Sequence, residues 1–199
     1  MIISAEERKI IEQTLEYCDS GKTTMIDEVM LNPVTNYNDP KRLDDEINTL
    51  FRKFPIIVAH ISEISQPGDF ITHNDTGVPI LVTRNNDREL KAFVNVCRHR
   101  GAKVELKECG KTKTFSCPYH NWTYGLNGEL RGMPQPFGFG KIDKKKYGLV
   151  ELPAFEHFGM VWVIPSVNEK KVNMVDWLAP MDEQIGGLKL EKHTIYKKL

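Results

Sequence analysis

Two cysteines and two histidines fall together in one short stretch of the chain. Cys97 and His99 form a Cys-x-His pair, and after 17 intervening residues Cys117 and His120 form a Cys-x2-His pair. Each limb offers one thiolate and one imidazole. That donor set suits a [2Fe–2S] cluster in which two thiolates hold one iron and two imidazoles the other. Each limb then gives its cysteine to one iron and its histidine to the other, so the limbs must face each other. A zinc ion could use the same four donors, although zinc limbs usually run Cys-x2–4-Cys and His-x3–5-His. A Cys97–Cys117 disulfide would leave both histidines idle and would need an oxidising compartment.

Two facing limbs need strands behind them. Residues 56–61, 78–83 and 90–96 are β-branched or apolar runs, separated by turn chemistry at Gln66-Pro-Gly-Asp69 and Asn85-Asn-Asp87. Between the limbs, Cys109-Gly110-Lys111 reads as a hairpin turn leading into a strand over 112–116, with Cys109 an incidental thiol. Asn127-Gly128 is a two-residue hairpin signal, and residues 150–155 and 160–164 read as closing strands around Gly159. The pattern predicts a mainly β fold, a small antiparallel barrel or sandwich with the two limbs as loops at its tip.

Two short helices are expected before it. Ser4-Ala-Glu-Glu7 is a capping box, Ile11, Leu15 and Cys18 share one face, and Asp19-Ser-Gly21 ends the helix, so Cys18 reads as a small buried residue. Residues 23–38 read as irregular. Asp39-Pro40 opens a second helix whose stripe of Leu43, Ile47, Leu50 and Phe54 is core or docking surface, and Pro55 stops it. After Val167 the strand pattern is lost. Trp177-Leu-Ala-Pro180 and Gly186-Gly187 read as linker, His193-Thr-Ile-Tyr196 as the start of another strand, and Tyr196-Lys-Lys-Leu199 as a cut end.

Lys plus Arg and Asp plus Glu are both 27, so the formal charge is zero and no nucleic-acid or membrane-surface partner is implied. No apolar run reaches the length of a membrane span. Met1-Ile-Ile-Ser-Ala-Glu-Glu-Arg8 lacks the basic-then-apolar order of a secretory signal, and four cysteines suit a reducing compartment, so a cytoplasmic location is expected.

Phe93-Val-Asn-Val-Cys97-Arg-His-Arg-Gly101 and Phe115-Ser-Cys117-Pro-Tyr-His120-Asn-Trp-Thr-Tyr124 closely resemble the Rieske domain of ring-hydroxylating oxygenase α subunits. The resemblance runs over about residues 45–165 and implies that Cys97, His99, Cys117 and His120 bind a [2Fe–2S] cluster. It divides the chain into an extension over 1–44, a Rieske domain over 45–165, and a linker over 166–199. Asn121 stands where the family usually has Gly, and Asn accepts positive φ. The cytochrome bc type has two further cysteines, at the places of Ala102 and Tyr119 here. Gly132-Met-Pro134-Gln-Pro136 resembles the family's third, cluster-covering loop, and Trp122 reads as a packed wall beside it. Lys144-Lys-Lys146 reads as a solvated face.

The family's mononuclear Fe(II) sits in a separate catalytic domain, on two histidines and a carboxylate. His60, His73, His157 and His193 are too scattered to supply it, so that domain is expected to be missing and no catalytic residue is assigned. The resemblance implies one-electron transfer from a reductase or ferredoxin to the catalytic domain of a neighbouring subunit, in a homotrimer at full length. The alternatives are a stand-alone Rieske ferredoxin and, more weakly, a structural zinc module.

Overall fold

A computed structural model describes residues 3–25, 28–167 and 173–196, which form two compact units dividing between Asp39 and Pro40. The expected cut end at 197–199 lies outside the described residues.

In the first unit, α1 (Ala5–Ser20) starts on the capping box. Ser4 Oγ accepts the Glu7 N–H at 3.1 Å and the Glu7 carboxylate accepts the Ser4 N–H at 2.7 Å, which holds the Glu7 carboxyl below its usual range. Gly21, at φ +63°, closes the helix. The expected inward face is not buried: Ile11, Leu15 and Cys18 are exposed, because no described residue of this unit is buried to form a second layer. A single turn, α2 (Thr35–Asn38), interrupts the stretch expected to be irregular.

The second unit opens with α3 (Pro40–Glu46), which widens into a π turn over Ile47–Phe51. Among the described residues eleven short strands follow: β1 (Ile56–His60), β2 (Asp69–His73), β3 (Ile80–Arg84), β4 (Leu90–Val94), β5 (Cys109–Lys111), β6 (Phe115–Ser116), β7 (Thr123–Tyr124), β8 (Leu130–Gly132), β9 (Glu151–Leu152), β10 (Ala154–His157) and β11 (Met160–Val163). They make three antiparallel sheets, ordered β1-β11-β10, β5-β2-β3-β4-β9 and β6-β7-β8.

The period of two decides where each core lies. On the five-stranded sheet, Phe70, Leu81 and Phe93 point to one face and join Phe115, Trp122 and Tyr124 of the β6-β7-β8 region. Their neighbours Ile71, Ile80, Val82 and Ala92 point to the other face and pack on Ala59, Val161 and Val163 of the first sheet. The middle sheet is therefore buried on both sides, and every residue of β3 is buried. Arg84 at the end of β3 donates to Ile64 O at 2.9 Å and pairs with Glu156 on β10, tying two sheets together.

Several segments differ from the sequence reading. Cys109-Gly110-Lys111 is an edge strand on β2, not a turn. Gly110 is needed for packing: a Cβ there would meet the Phe70 ring at 3.0 Å. β2 itself was not expected. The Asn127-Gly128 hairpin forms, but its loop runs from Gly125 to Glu129 instead of two residues. Between β10 and β11 a two-residue turn does form, with Phe158 and Gly159 both at positive φ, the type I′ combination.

The expected linker is helical: α4 (Met174–Leu178) and α5 (Asp182–Leu188), the latter containing both Gly186 and Gly187. Burial of Leu178, and the ring of Trp177 against Phe54 and Trp162, outweigh the helix-breaking composition. Residues 193–196 join no sheet; Ile195 N–H bonds Ser62 Oγ at 3.2 Å instead. Among the described residues no helix is long and apolar enough to cross a membrane.

Candidate metal centre

The first limb follows β4 and the second lies between β6 and β7. In the first, the Cys97 N–H bonds Ala102 O at 2.8 Å while Cys97 O accepts the Gly101 N–H at 3.0 Å. In the second, the Cys117 N–H bonds Trp122 O at 2.9 Å while Cys117 O accepts the Asn121 N–H at 2.9 Å. Both loops turn through positive φ, at Gly101 (+76°) and Asn121 (+53°). These folded-back loops bring the Cys97 thiol close enough to Cys117 to raise it, and set the rings of His99 and His120 with centroids 4.6 Å apart at 71°. Among the described residues no three His, Cys, Asp or Glu side chains converge as they would on a single metal ion.

Buried residues fix this arrangement. Asn95, 1% exposed, anchors the chain beyond the first limb: its Oδ1 accepts the Val104 and Glu105 N–H groups at 3.1 and 3.0 Å, and its Nδ2 donates to Glu105 O at 2.8 Å. The Tyr124 hydroxyl accepts the Arg98 N–H at 3.0 Å, which leaves its own O–H to donate to Cys97 Sγ at 3.3 Å. Burial first, and then this bond to Cys97, push the Tyr124 phenol well above its usual range. Neither Asn95 nor Tyr124 was singled out from sequence; both lie inside the motif, where an alternation of buried and exposed positions is the only available signal.

The two histidines have unlike surroundings. His99 is stacked on Trp122, 5.0 Å between centroids and 7° between planes, and Phe139 packs edge-on to both rings at 5.5 Å. Trp122 is 2% exposed, a wall as expected. Phe139, on the 3-10 turn Pro136–Phe139 that follows the expected third loop, is the ring packed on His99, and Pro134 and Pro136 are exposed. His120 is faced by Tyr119, 3.8 Å away and largely exposed. Burial, with the His120 ring and Arg100 beside it, lowers the basicity of His99. Burial pushes the Cys117 thiol up.

These residues fit the cluster that the spacing calls for. His99 Nδ1 is buried without a hydrogen-bond partner, a position that a neutral imidazole tolerates when that nitrogen binds metal. Cys97 and Cys117 are 3% and 1% exposed, dry enough to protect a thiolate-bound iron. The remaining thiols, Cys18 and Cys109, are exposed and elsewhere.

The other histidines do other work. His60 Nδ1 accepts the Ser62 N–H at 3.2 Å, so its Nε2–H donates to Leu190 O at 2.9 Å. His193 lines the same groove as His60. His73 lies near Asp75, and His157 Nε2 is 3.4 Å from Asp182 on α5. Beside His99 opens a cleft of about 400 Å³ lined by Arg98, Trp122, Phe139, Lys141, Lys146 and Tyr147 among others.

The Rieske [2Fe–2S] domain family matches residues 54–147. The chain is 35% identical over 162 residues to the large oxygenase component of the naphthalene 1,2-dioxygenase system of Pseudomonas aeruginosa, covering 77% of this chain and 36% of that protein. It is 34% identical over 154 residues to the carnitine monooxygenase oxygenase subunit of Acinetobacter pittii, covering 77% and 41%. The fold is similar to that of the quaternary ammonium Rieske monooxygenase CntA, with TM-score 0.71 and 32% identity over 80% of this chain and 45% of that one. It is also similar to naphthalene 1,2-dioxygenase from Rhodococcus sp., with TM-score 0.71 and 27% identity over 94% and 41%. The chain thus spans less than half the length of these relatives.

Proposed function

We propose that residues 54–147, which match the Rieske [2Fe–2S] domain family, serve as such a domain of the kind carried by the large subunits of ring-hydroxylating oxygenases, that Cys97, His99, Cys117 and His120 hold the cluster, and that the chain passes single electrons through it. With two imidazole ligands the cluster supplies a one-electron couple at roughly −150 to +300 mV, above that of an all-thiolate centre. The observation that carries the ligand set is the buried, partnerless Nδ1 of His99, on a ring 4.6 Å from that of His120. Within this frame the chain's own residues have distinct tasks. Gly101 and Asn121 turn the ligand loops, Asn95 and Tyr124 hold the first loop, and Trp122 and Phe139 exclude water from His99.

The electron is proposed to come from a reductase or ferredoxin and to leave for a mononuclear iron in the catalytic domain of a neighbouring subunit of a homotrimer. In support, the solved structure of a similar quaternary ammonium monooxygenase is described in terms of electron transfer between subunits. In this reading residues 45–165 are the electron-transfer domain, 1–44 its extension and 166–199 the connection to the catalytic domain.

Metal and sulfide analysis of anaerobically purified protein tests the assignment. We expect two iron and two labile sulfide per chain. Cys97→Ser or Cys117→Ser should abolish them, whereas Cys18→Ser and Cys109→Ser should not. Stoichiometric zinc without sulfide would overturn the reading in favour of a structural module.

A further inference from the structure

The chain has no net charge, yet its cations are not evenly spread around the cluster site. Arg98 and Arg100 sit on the first ligand loop, and Lys141, Lys144, Lys145 and Lys146 lie on the segment beside the cleft. A single carboxylate, Asp143, stands among these six cations. Among the described residues none of the six makes an ion pair, and Lys144 alone is engaged by its side chain, donating to Arg131 O at 2.9 Å. Elsewhere Arg42, Arg84, Lys91, Lys111 and Arg131 each have a carboxylate partner, while Lys53, Lys189 and Lys192 have no ion pair among the described residues either, so what sets the six apart is their clustering beside the cleft. Phe139, 40% exposed, lines the cleft with Arg98, Lys141 and Lys146, and Phe137 on the same turn and Tyr119 on the second limb are 85% and 60% exposed. Exposed aromatic rings beside unpaired charge of one sign are the make-up of a protein-docking surface with a partner of opposite charge.

We propose that this basic cluster, with Lys141 and Lys146 lining the cleft and Lys145 on the same turn, docks an acidic one-electron donor protein against the His99 edge of the site. The inference rests on the cluster assignment above and adds the partner's chemistry. One electron leaves the reduced [2Fe–2S] centre of the donor, which becomes diferric, and enters the cluster here, which becomes mixed-valent. No bond is made or broken. Unpaired cations raise the encounter rate with an acidic partner and orient it, an effect that salt screens.

The test is stopped-flow reduction of the cluster-loaded full chain by a reduced, acidic plant-type ferredoxin. The wild-type rate should fall steeply as ionic strength rises from about 0.01 M to about 1 M, where the screening length shrinks from about 30 Å to about 3 Å. Charge reversal by Lys141→Glu, Lys145→Glu and Lys146→Glu together should slow reduction about tenfold or more at low salt. The difference should vanish at high salt. The methyl viologen radical cation should instead reduce this variant faster than the wild type.

A second variant, Lys53→Glu, Lys189→Glu and Lys192→Glu, carries the same charge change on segments flanking Phe54 and Leu190, away from the ligand loops. It should keep a rate near that of the wild type. Equal slowing by both variants, or a loaded cluster whose reduction ignores salt, would overturn the docking surface while leaving the cluster assignment standing. Absence of iron and sulfide would remove both. Salt-sensitive binding of a duplex oligonucleotide, lost in the first variant, would assign the basic cluster to nucleic acid and overturn the proposal as well.

Discussion

Gly101 and Asn121 occupy the same position in two loops of different ligand spacing. Each lies four residues after its cysteine, turns through positive φ, and donates its N–H to that cysteine's carbonyl. The following residue of each loop closes the turn by accepting the cysteine N–H. The histidine is at the second place after the cysteine in one loop and at the third in the other, so one backbone scaffold serves both.

The pair predicts opposite outcomes for small substitutions. A Cβ at Gly101 would meet nothing within 4 Å, so Gly101→Ala costs only the left-handed backbone term, about 1–2 kcal/mol. Asn121→Gly should be neutral or slightly stabilising, and Asn121→Val should impair cluster loading, since a β-branched residue resists that conformation. Thermal unfolding and iron content of the three variants check this.

Tyr124→Phe should lower the reduction potential. The added electron makes the cluster more negative, and a donor hydrogen bond to Cys97 Sγ favours that state. Its loss is expected to shift the potential by tens of millivolts, since about 1.4 kcal/mol corresponds to about 59 mV for one electron. Voltammetry of the loaded variant reads the shift, and an upward movement would contradict the bonding direction assigned here.

Trp122→Ala and Tyr119→Ala should differ sharply although both rings face a histidine. Trp122 is buried, and its removal should cost about 3–5 kcal/mol and expose His99. Tyr119 is 60% exposed, so its loss should change stability little. Phe139→Ala should leave the fold intact and speed cluster loss in air, as followed by bleaching of the visible spectrum.

Burial pushes the Cys117 thiol above its ordinary range, and Cys97 adds to this against the N–H groups of Tyr119 and His120. A raised folded-state value means that the thiol stabilises the metal-free protein at pH below the ordinary value of about 8.5. That contribution is lost as pH rises through the folded value. The cluster needs the thiolate, so anaerobic assembly onto metal-free protein should accelerate with rising pH over the same window. His99, whose basicity is lowered, has no proton to shed there. Loading that is independent of pH would contradict this.

The two Cys–His limbs stood out as a candidate site because cluster chemistry dictates residue type and spacing directly. Asn95 and Tyr124 were not, since they act through the backbone and one sulfur, and either could have been an ordinary core residue. Gly110 misled because a glycine beside a lysine looks the same whether it makes a turn or makes room for Phe70. The Trp177–Pro180 and Gly186-Gly187 segments misled because tertiary contacts, through Leu178 and Trp177, override weak local propensity. Cys18 was placed inside by periodicity alone, which identifies a face without showing that anything covers it.

The order of assembly follows from the sheet pairings. β6, β7 and β8 close among themselves within a short stretch of chain, whereas β1 must find β11 about one hundred residues later. Loop closure over that span makes the β1–β11 ladder the slow step, and local hairpins form far sooner. On a ribosome, both Cys–His loops leave the exit tunnel before β11 does. A nascent chain can therefore carry these loops folded on their own hairpin while its outer sheet is still open.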